Sequence, residues 1–391
     1  MIQNPSPLRK LSPVHLLLLL AFHLPLLGQE QSSSSYYPPS GDRWEQRPAE
    51  ALGMNTALLD SAIRFQLSNE SKYLVDLREQ LKRQYANDPY NETIGPTKER
   101  GGANGLVIRH GYIAAEWGDT RRVDMTFSVT KSFLSASAGL AYDKGLIKDL
   151  HDPVRNTVND GGFDSPHNAT ITWQMLLQQT SEWEGTLWGK PDLADRRRGR
   201  DRVLQEPGTF WEYNDIRVNR TALALLRLFK KPLPQVLKEE IMEPIGASTT
   251  WEYHGYDNSD VLIEGVTMKS VSGGGHYGGG WWVSSRDQAR FGLLYLRNGK
   301  WNDRQLLSQQ WISMSLTPCS IRPVYGFLWW LNTEKKQWAQ ATERTFAALG
   351  AGTNAIVVVP EHDLVIVVRW IDTPKLGDFI GKVLASVEVH H

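Results

Sequence analysis

Apolar and polar positions fall into separable periods along this chain. At Asn55 a polar cap precedes Ala57, Leu58, Leu59, Ala62, Ile63 and Phe65 at helical spacing, which predicts a helix. Residues 67–103 are polar and charged; a short helix near Leu74–Tyr85 is expected there, and the remainder reads as a surface insertion. Leu106–Ala114 predicts two strands joined at His110-Gly111. Thr126–Tyr142 predicts a helix whose Ser135-Ala136-Ser137-Ala138-Gly139 face is smooth enough for close interior packing, with a stop at Lys144-Gly145. Further helices are expected at Trp173–Gln178, capped by Thr170 or Thr172, and at Thr221–Phe229. Near the end, Ala355–Val359 and Leu364–Val368 predict two buried strands linked through Glu361-His362-Asp363, followed by a closing helix over Asp378–Val387. Strands at both ends with helices between them predict an α/β sandwich carrying an all-helical insertion.

The first residues follow a different logic. Arg9 and Lys10 precede the apolar run Val14–Leu27, and Gly28 supplies a small residue after it. Residues 1–28 therefore read as a secretory signal peptide, and the run is too short and too interrupted, by His15 and His23, for a comfortable membrane span. Residues 29–50, with Ser32–Ser35 and Pro38-Pro39, read as a flexible linker, and 51–391 as the folded domain. The expected destination is outside the cytoplasm, in a periplasm or secreted, with no membrane span in the mature chain.

Composition narrows the function classes. Formal net charge is zero, so no long-range attraction to nucleic acid or an anionic membrane is implied. Cys319 is the sole cysteine, which excludes an internal disulfide and a cysteine-based metal site. Fifteen tryptophans point to a large core or an aromatic pocket; Trp183, Trp188, Trp211, Trp281, Trp329 and Trp330 are the wall candidates. The glycine-rich stretch Ser272–Gly280 lacks the Lys-Ser/Thr ending of a phosphate loop and reads instead as an active-site loop, with His276 as a candidate within it.

The chemistry centres on Phe127-Ser128-Val129-Thr130-Lys131. Three residues apart on a helix, Ser128 and Lys131 stand on one face, so a hydroxyl and an amine come within hydrogen-bond reach. A Ser-x-x-Lys alone arises about once by chance in a chain this long. Ser128, however, falls at the helix start, where unpaired N–H groups can hold an oxyanion. Burial on this apolar helix is expected to lower the Lys131 pKa toward a neutral base. Downstream, Pro207-Gly208-Thr209 delivers an aromatic stretch ending in Tyr213, and Ala348-Leu349-Gly350-Ala351 precedes a strand, where the Ala351 N–H can act as a second oxyanion donor.

Together with Asp152-Pro153-Val154, Ile171–Ser181, Gly278-Gly279-Gly280-Trp281, Ser285-Arg286-Asp287 and Tyr325–Trp330, these motifs make the chain resemble the serine β-lactamase and penicillin-binding-protein superfamily. The pattern is nearest the class C β-lactamase-related branch, which includes β-lactamase-type esterases and 6-aminohexanoate-dimer hydrolase. The resemblance implies an α/β (α+β) β-lactamase/transpeptidase-like fold: an antiparallel sheet flanked by helices. It implies Ser128 as nucleophile, Lys131 and Tyr213 as acid–base partners, an acyl-enzyme, a small ester, amide or peptide substrate, and no cofactor or metal. Gly350 and Ala351 fall on its substrate strand; Asp215, Trp183, His276 and Trp281 are the further substrate-binding candidates. Two positions depart from its pattern. Asp215 stands where Asn is usual, and Ala348 where a cation is usual, so neutral esters are expected to be preferred to anionic β-lactams. The remaining alternatives are a β-lactamase or peptidase, and an inactive envelope-binding relative. The run Arg196–Arg202 is expected to be a solvated loop, with Arg196, Arg198 or Arg200 as the residues able to replace the missing cation.

Overall fold

A computed structural model describes residues 35–388. The segment expected to be a signal peptide, residues 1–28, and the first part of the expected linker therefore lie outside the described residues. The rest of that linker is docked rather than loose. Tyr36 stacks on Tyr112 with ring centroids 4.0 Å apart, and Trp44 donates to the Gly111 carbonyl at 2.7 Å. The buried Arg290 guanidinium donates to the carbonyls of Pro38, Pro39 and Gly41, which fixes a segment with few apolar residues of its own.

Helix α1 (Thr56–Ser68) starts where the Asn55 side chain accepts from the Leu58 N–H, and α2 (Leu77–Gln84) where Asp76 does the same for Arg78 and Glu79. Strands β1 (Asn104–Arg109) and β2 (Tyr112–Trp117) turn through His110 and Gly111, both at positive φ, the geometry that matches strand twist in a two-residue hairpin. The short strand β3 (Asp124–Met125) leads into α3 (Thr130–Asp143). The helical insertion holds α4 (Trp173–Leu177), capped by Thr172, α5 (Asp215–Phe229) and α6 (Leu233–Leu237). A long hairpin, β4 (Glu252–Ile263) and β5 (Val266–Val271), and strand β6 (Gly280–Val283) join β3 in a four-stranded sheet ordered β3-β6-β4-β5. Helices α7 (Ser285–Leu296) and α8 (Gln309–Ser315) precede β7 (Trp330–Leu331), β8 (Phe346–Gly350), β9 (Asn354–Val359), β10 (Leu364–Arg369) and the closing helix α9 (Leu376–Ala385).

The main sheet is antiparallel throughout, in the order β7-β8-β9-β10-β1-β2, so the two chain ends meet where β10 pairs with β1. Its strands read as unbroken apolar runs because both faces are covered. Leu106, Ile108, Ile356, Val358, Val365 and Val367 enter a core shared with Phe133 of α3 and Phe291 of α7. Val107, Val357, Ile366 and Val368 enter a second core with Leu59 of α1 and Phe379, Ile380 and Val383 of α9. Helix α3 runs through the interior and is buried from Thr130 to Ala141, which explains its small-residue surface and the absence of a polar stripe.

Arg369 ties the two sheets together. It is fully buried on β10, donates to the carbonyls of Met125 and Val283 at 2.8 Å each, and accepts support from the Asn354 side chain, which takes its Nε–H. Burial pulls its pKa down to about 10. The guanidinium thus fixes the chain at Met125, immediately before Thr126-Phe127-Ser128.

Candidate active site

Ser128 lies in a 3-10 turn, Phe127–Val129, at the entrance to α3. Phe127 is held at φ +49°, a left-handed conformation that a bulky side chain adopts only under constraint from its surroundings. The constraint is visible on both sides. The Thr126 N–H and hydroxyl both donate to the Trp281 carbonyl, at 3.1 and 2.6 Å. Across the turn, the end of β8 presses in at Gly350, where a Cβ would lie 2.0 Å from the Thr126 carbonyl oxygen and 3.2 Å from the Ser128 nitrogen. Only glycine permits this approach. It sets Gly350-Ala351 against the Ser128 turn on the wall of one cleft, and neither the Ala351 N–H nor the Ser128 N–H has a protein acceptor among the described residues. Gly350→Ala is expected to force β8 away from the turn, at a cost of about 1–3 kcal/mol. A thermal melt equal to that of the parent protein would show that the strand does not bear on the turn.

Lys131, one helical turn on, donates to Ser128 Oγ at 2.9 Å and to Asp215 Oδ1 at 2.6 Å. Both members of the ion pair are buried. Asp215 arrives there because α5 begins earlier than its apolar pattern suggests: Asn214 caps it, accepting from Arg217 N, so Asp215 is its first residue. Burial favours neutral Lys131, yet the charge and hydrogen bond of Asp215 outweigh it and raise the lysine pKa. For Asp215, burial raises the pKa, but Lys131, then His276 and Arg197, lower it to about 2. The expectation that burial alone would make Lys131 a neutral base is therefore corrected: a carboxylate at 2.6 Å keeps the ammonium.

The glycine-rich loop closes over this pair. At Gly274 a Cβ would meet Asp215 Oδ2 at 2.2 Å and Lys131 Nζ at 2.3 Å. Two residues on, the His276 N–H donates to Asp215 Oδ2 at 3.2 Å, and its ring stacks on Tyr85 at 4.2 Å. His276 Nδ1 is 3.7 Å from Asp195 Oδ1. The side chains of Asp195, Asp215 and His276 come within 4.8 Å of one another. Lys131 and Arg197 already occupy Oδ1 of Asp215 and of Asp195, so the cluster is a charge-compensated network.

These groups open onto a cleft of about 500 Å³, whose walls include Tyr85, Ser128, Tyr213, His276, Trp330, Gly350 and Ala351. The Tyr213 ring lies 4.5 Å from Lys131 Nζ and stacks against Trp330 at 5.6 Å. Three sequence expectations change here. Trp281 is fully buried and stacks between Phe133 and Trp251, and Trp183 is buried with its N–H on the Gly162 carbonyl. Neither lines the cleft; the tryptophans that do are Trp211 and Trp330. Second, the arginine run is a solvated loop only in its middle: Arg197, Arg198, Gly199 and Asp201 are exposed, while its two ends are anchored. Arg196 pairs with Asp192, and Arg202 with Glu182 and Glu212, while Arg197 stands at the cleft, 48 % exposed, over the Tyr213 ring at 4.8 Å. Third, the polar insertion reaches the site through Gln84 and Tyr85 at the end of α2. Arg322 also lines the cleft and carried no motif in the sequence.

An antiparallel sheet clasped by helices, with a serine and a lysine bonded at the mouth of its helical insertion, defines the architecture of the serine β-lactamases and penicillin-binding proteins. The chain belongs to the β-lactamase family, whose model matches residues 79–379. Its fold is similar to that of a β-lactamase from Mycobacterium bovis (23% identity, TM-score 0.52, covering 73% of this chain and 95% of that one). A putative 6-aminohexanoate-dimer hydrolase from Bacillus anthracis is also similar (17% identity, TM-score 0.51, 79% and 81% covered). So is EstCE1, a hydrolase with promiscuous acyltransferase activity (14% identity, TM-score 0.54, 85% and 100% covered).

Proposed function

We propose that this chain is a serine hydrolase of the esterase or amidase type, cleaving a small ester or amide through an acyl-enzyme on Ser128. The observation that carries the reading is the 2.9 Å bond between Ser128 Oγ and Lys131 Nζ, beside two backbone N–H groups without acceptors. Ser128 Oγ attacks the substrate carbonyl, and the N–H groups of Ser128 and Ala351 receive the oxyanion. Lys131, kept as an ammonium by Asp215, orients Oγ and stabilises the charge that develops on it. The Tyr213 hydroxyl relays the proton, accepting it from Ser128 as it gives its own to the leaving group; water then attacks the acyl ester and the same groups act in reverse. Similarity to a hydrolase with promiscuous acyltransferase activity and to a putative 6-aminohexanoate-dimer hydrolase agrees with this chemistry. The test is a fluorophosphonate probe with tryptic mass mapping. A phosphonyl increment on the Ser128 peptide is expected, and a protein that stays unlabelled while folded would overturn the reading.

We further infer export, from Arg9 and Lys10 ahead of Val14–Leu27. No helix among the described residues is long and apolar enough to cross a membrane. The mature N-terminus is expected near Gln29 in a periplasmic or culture fraction. Terminal sequencing that recovers Met1 from cytosol would refute this.

A further inference from the structure

Three cations stand at the cleft, and two are already matched. Lys131 is bonded to Asp215, and Arg197 to Asp195 through its Nε and Nη2. The third, Arg322, forms no salt bridge or side-chain hydrogen bond among the described residues. Its Nε–H is buried and lacks an acceptor, and its guanidinium lies 5.2 Å from the centre of the Trp211 ring. An N–H shut off from water without an acceptor is unfavourable, and the two outer amines of the same guanidinium, which are not enclosed, reach the cleft with no protein partner among the described residues. The backbone that presents Arg322 is held firmly. The Tyr325 N–H closes a turn onto the Arg322 carbonyl at 2.9 Å, Pro323 restricts the turn, and the Tyr325 hydroxyl accepts from Gln179 at 2.7 Å. A guanidinium placed over an indole ring and presented by a held turn is prepared to bind a planar anion.

We propose that Arg322 binds a carboxylate on the substrate, so that the substrate is an acidic ester or amide rather than a neutral one. This rests on the cleft being the hydrolase site. It reverses the preference expected from the sequence, and both grounds for that preference are met in the structure. Ala348 does lack a cation, but it is buried in the core beneath the sheet, while Arg322 and Arg197 bring positive charge to the cleft from other loops. Asp215 does carry a negative charge, but Lys131 balances it.

The test compares p-nitrophenyl hemiglutarate, which carries a free carboxylate, with p-nitrophenyl pentanoate, in the parent protein, Arg322→Ala and Arg322→Lys. The ratio of kcat/KM for charged over neutral ester should fall roughly ten- to a hundred-fold in Arg322→Ala. Arg322→Lys should restore part of it. A purely structural role would lower both esters together and leave the ratio unchanged, which would overturn the proposal. Binding is measured separately by calorimetry in a Ser128→Ala background, with monomethyl glutarate against dimethyl glutarate. Loss of monomethyl glutarate affinity on adding Arg322→Ala supports the carboxylate site even where neither ester is turned over, an outcome that would count against the hydrolase reading alone. Equal affinity with and without Arg322 rejects the site.

Discussion

Ser128→Ala is expected to lower kcat/KM by roughly four to six orders of magnitude and to abolish fluorophosphonate labelling. The fold should barely register the change. Ser128 Oγ accepts one hydrogen bond, from Lys131, and that lysine keeps its bond to Asp215 when the hydroxyl is removed. The turn itself is held by Thr126, Arg369 and the approach of Gly350, none of which uses the serine side chain. A stability loss of only about 0.5–1 kcal/mol is anticipated. Loss of activity with an unchanged melt separates a chemical role from a structural one. A variant that still accumulates acyl-enzyme at the parent rate would move the nucleophile elsewhere, and the buried Ser132 is a poor substitute because its hydroxyl is spent on the Leu328 carbonyl.

The elements governed by local pattern were legible in the sequence. The caps Asn55 and Thr172, the His110-Gly111 hairpin and the strand pair at the end of the chain stand where side-chain chemistry and apolar runs predicted them. The Ser-x-x-Lys spacing works because it is internal to one helical turn. What depended on tertiary placement was not legible. A buried tryptophan and a cleft tryptophan have the same local signature, and only packing sends Trp281 into the core and Trp330 to the wall. The arginine run read as a solvated loop throughout because nothing local shows that Arg202 meets Glu182 and Glu212, carboxylates 20 and 10 residues away, at one of its ends. Arg322 lies far along the chain from Ser128, just ahead of the Tyr325–Trp330 motif but outside it. The balance at Lys131 was open for the same reason. Burial and a neighbouring carboxylate push its pKa in opposite directions, and the 2.6 Å separation decides between them.

That balance sets the second large effect. Asp215→Asn restores the residue usual in this family, yet it is expected to reduce activity about ten- to a hundred-fold above neutral pH. Without the carboxylate, burial controls Lys131 and brings its pKa below the ordinary 10.5. In the parent protein the raised pKa keeps the ammonium throughout the neutral and mildly alkaline range. In the variant the ammonium survives only below the lowered pKa, so activity should fall as pH rises and recover on acidification. Stability gives an independent sign check. The folded-state pKa of Asp215, about 2, lies below its ordinary 3.8. The ion pair therefore stabilises the parent fully above about pH 4 and loses that contribution as pH falls toward 2. The difference in stability between parent and variant should shrink across that window, and its failure to do so would mean that Asp215 is not the ionised partner. Should Asp215→Asn instead be more active than the parent at pH 7–8, Lys131 would be acting as a free base held back by its carboxylate. The proton of Ser128 would then pass to the lysine and not to Tyr213.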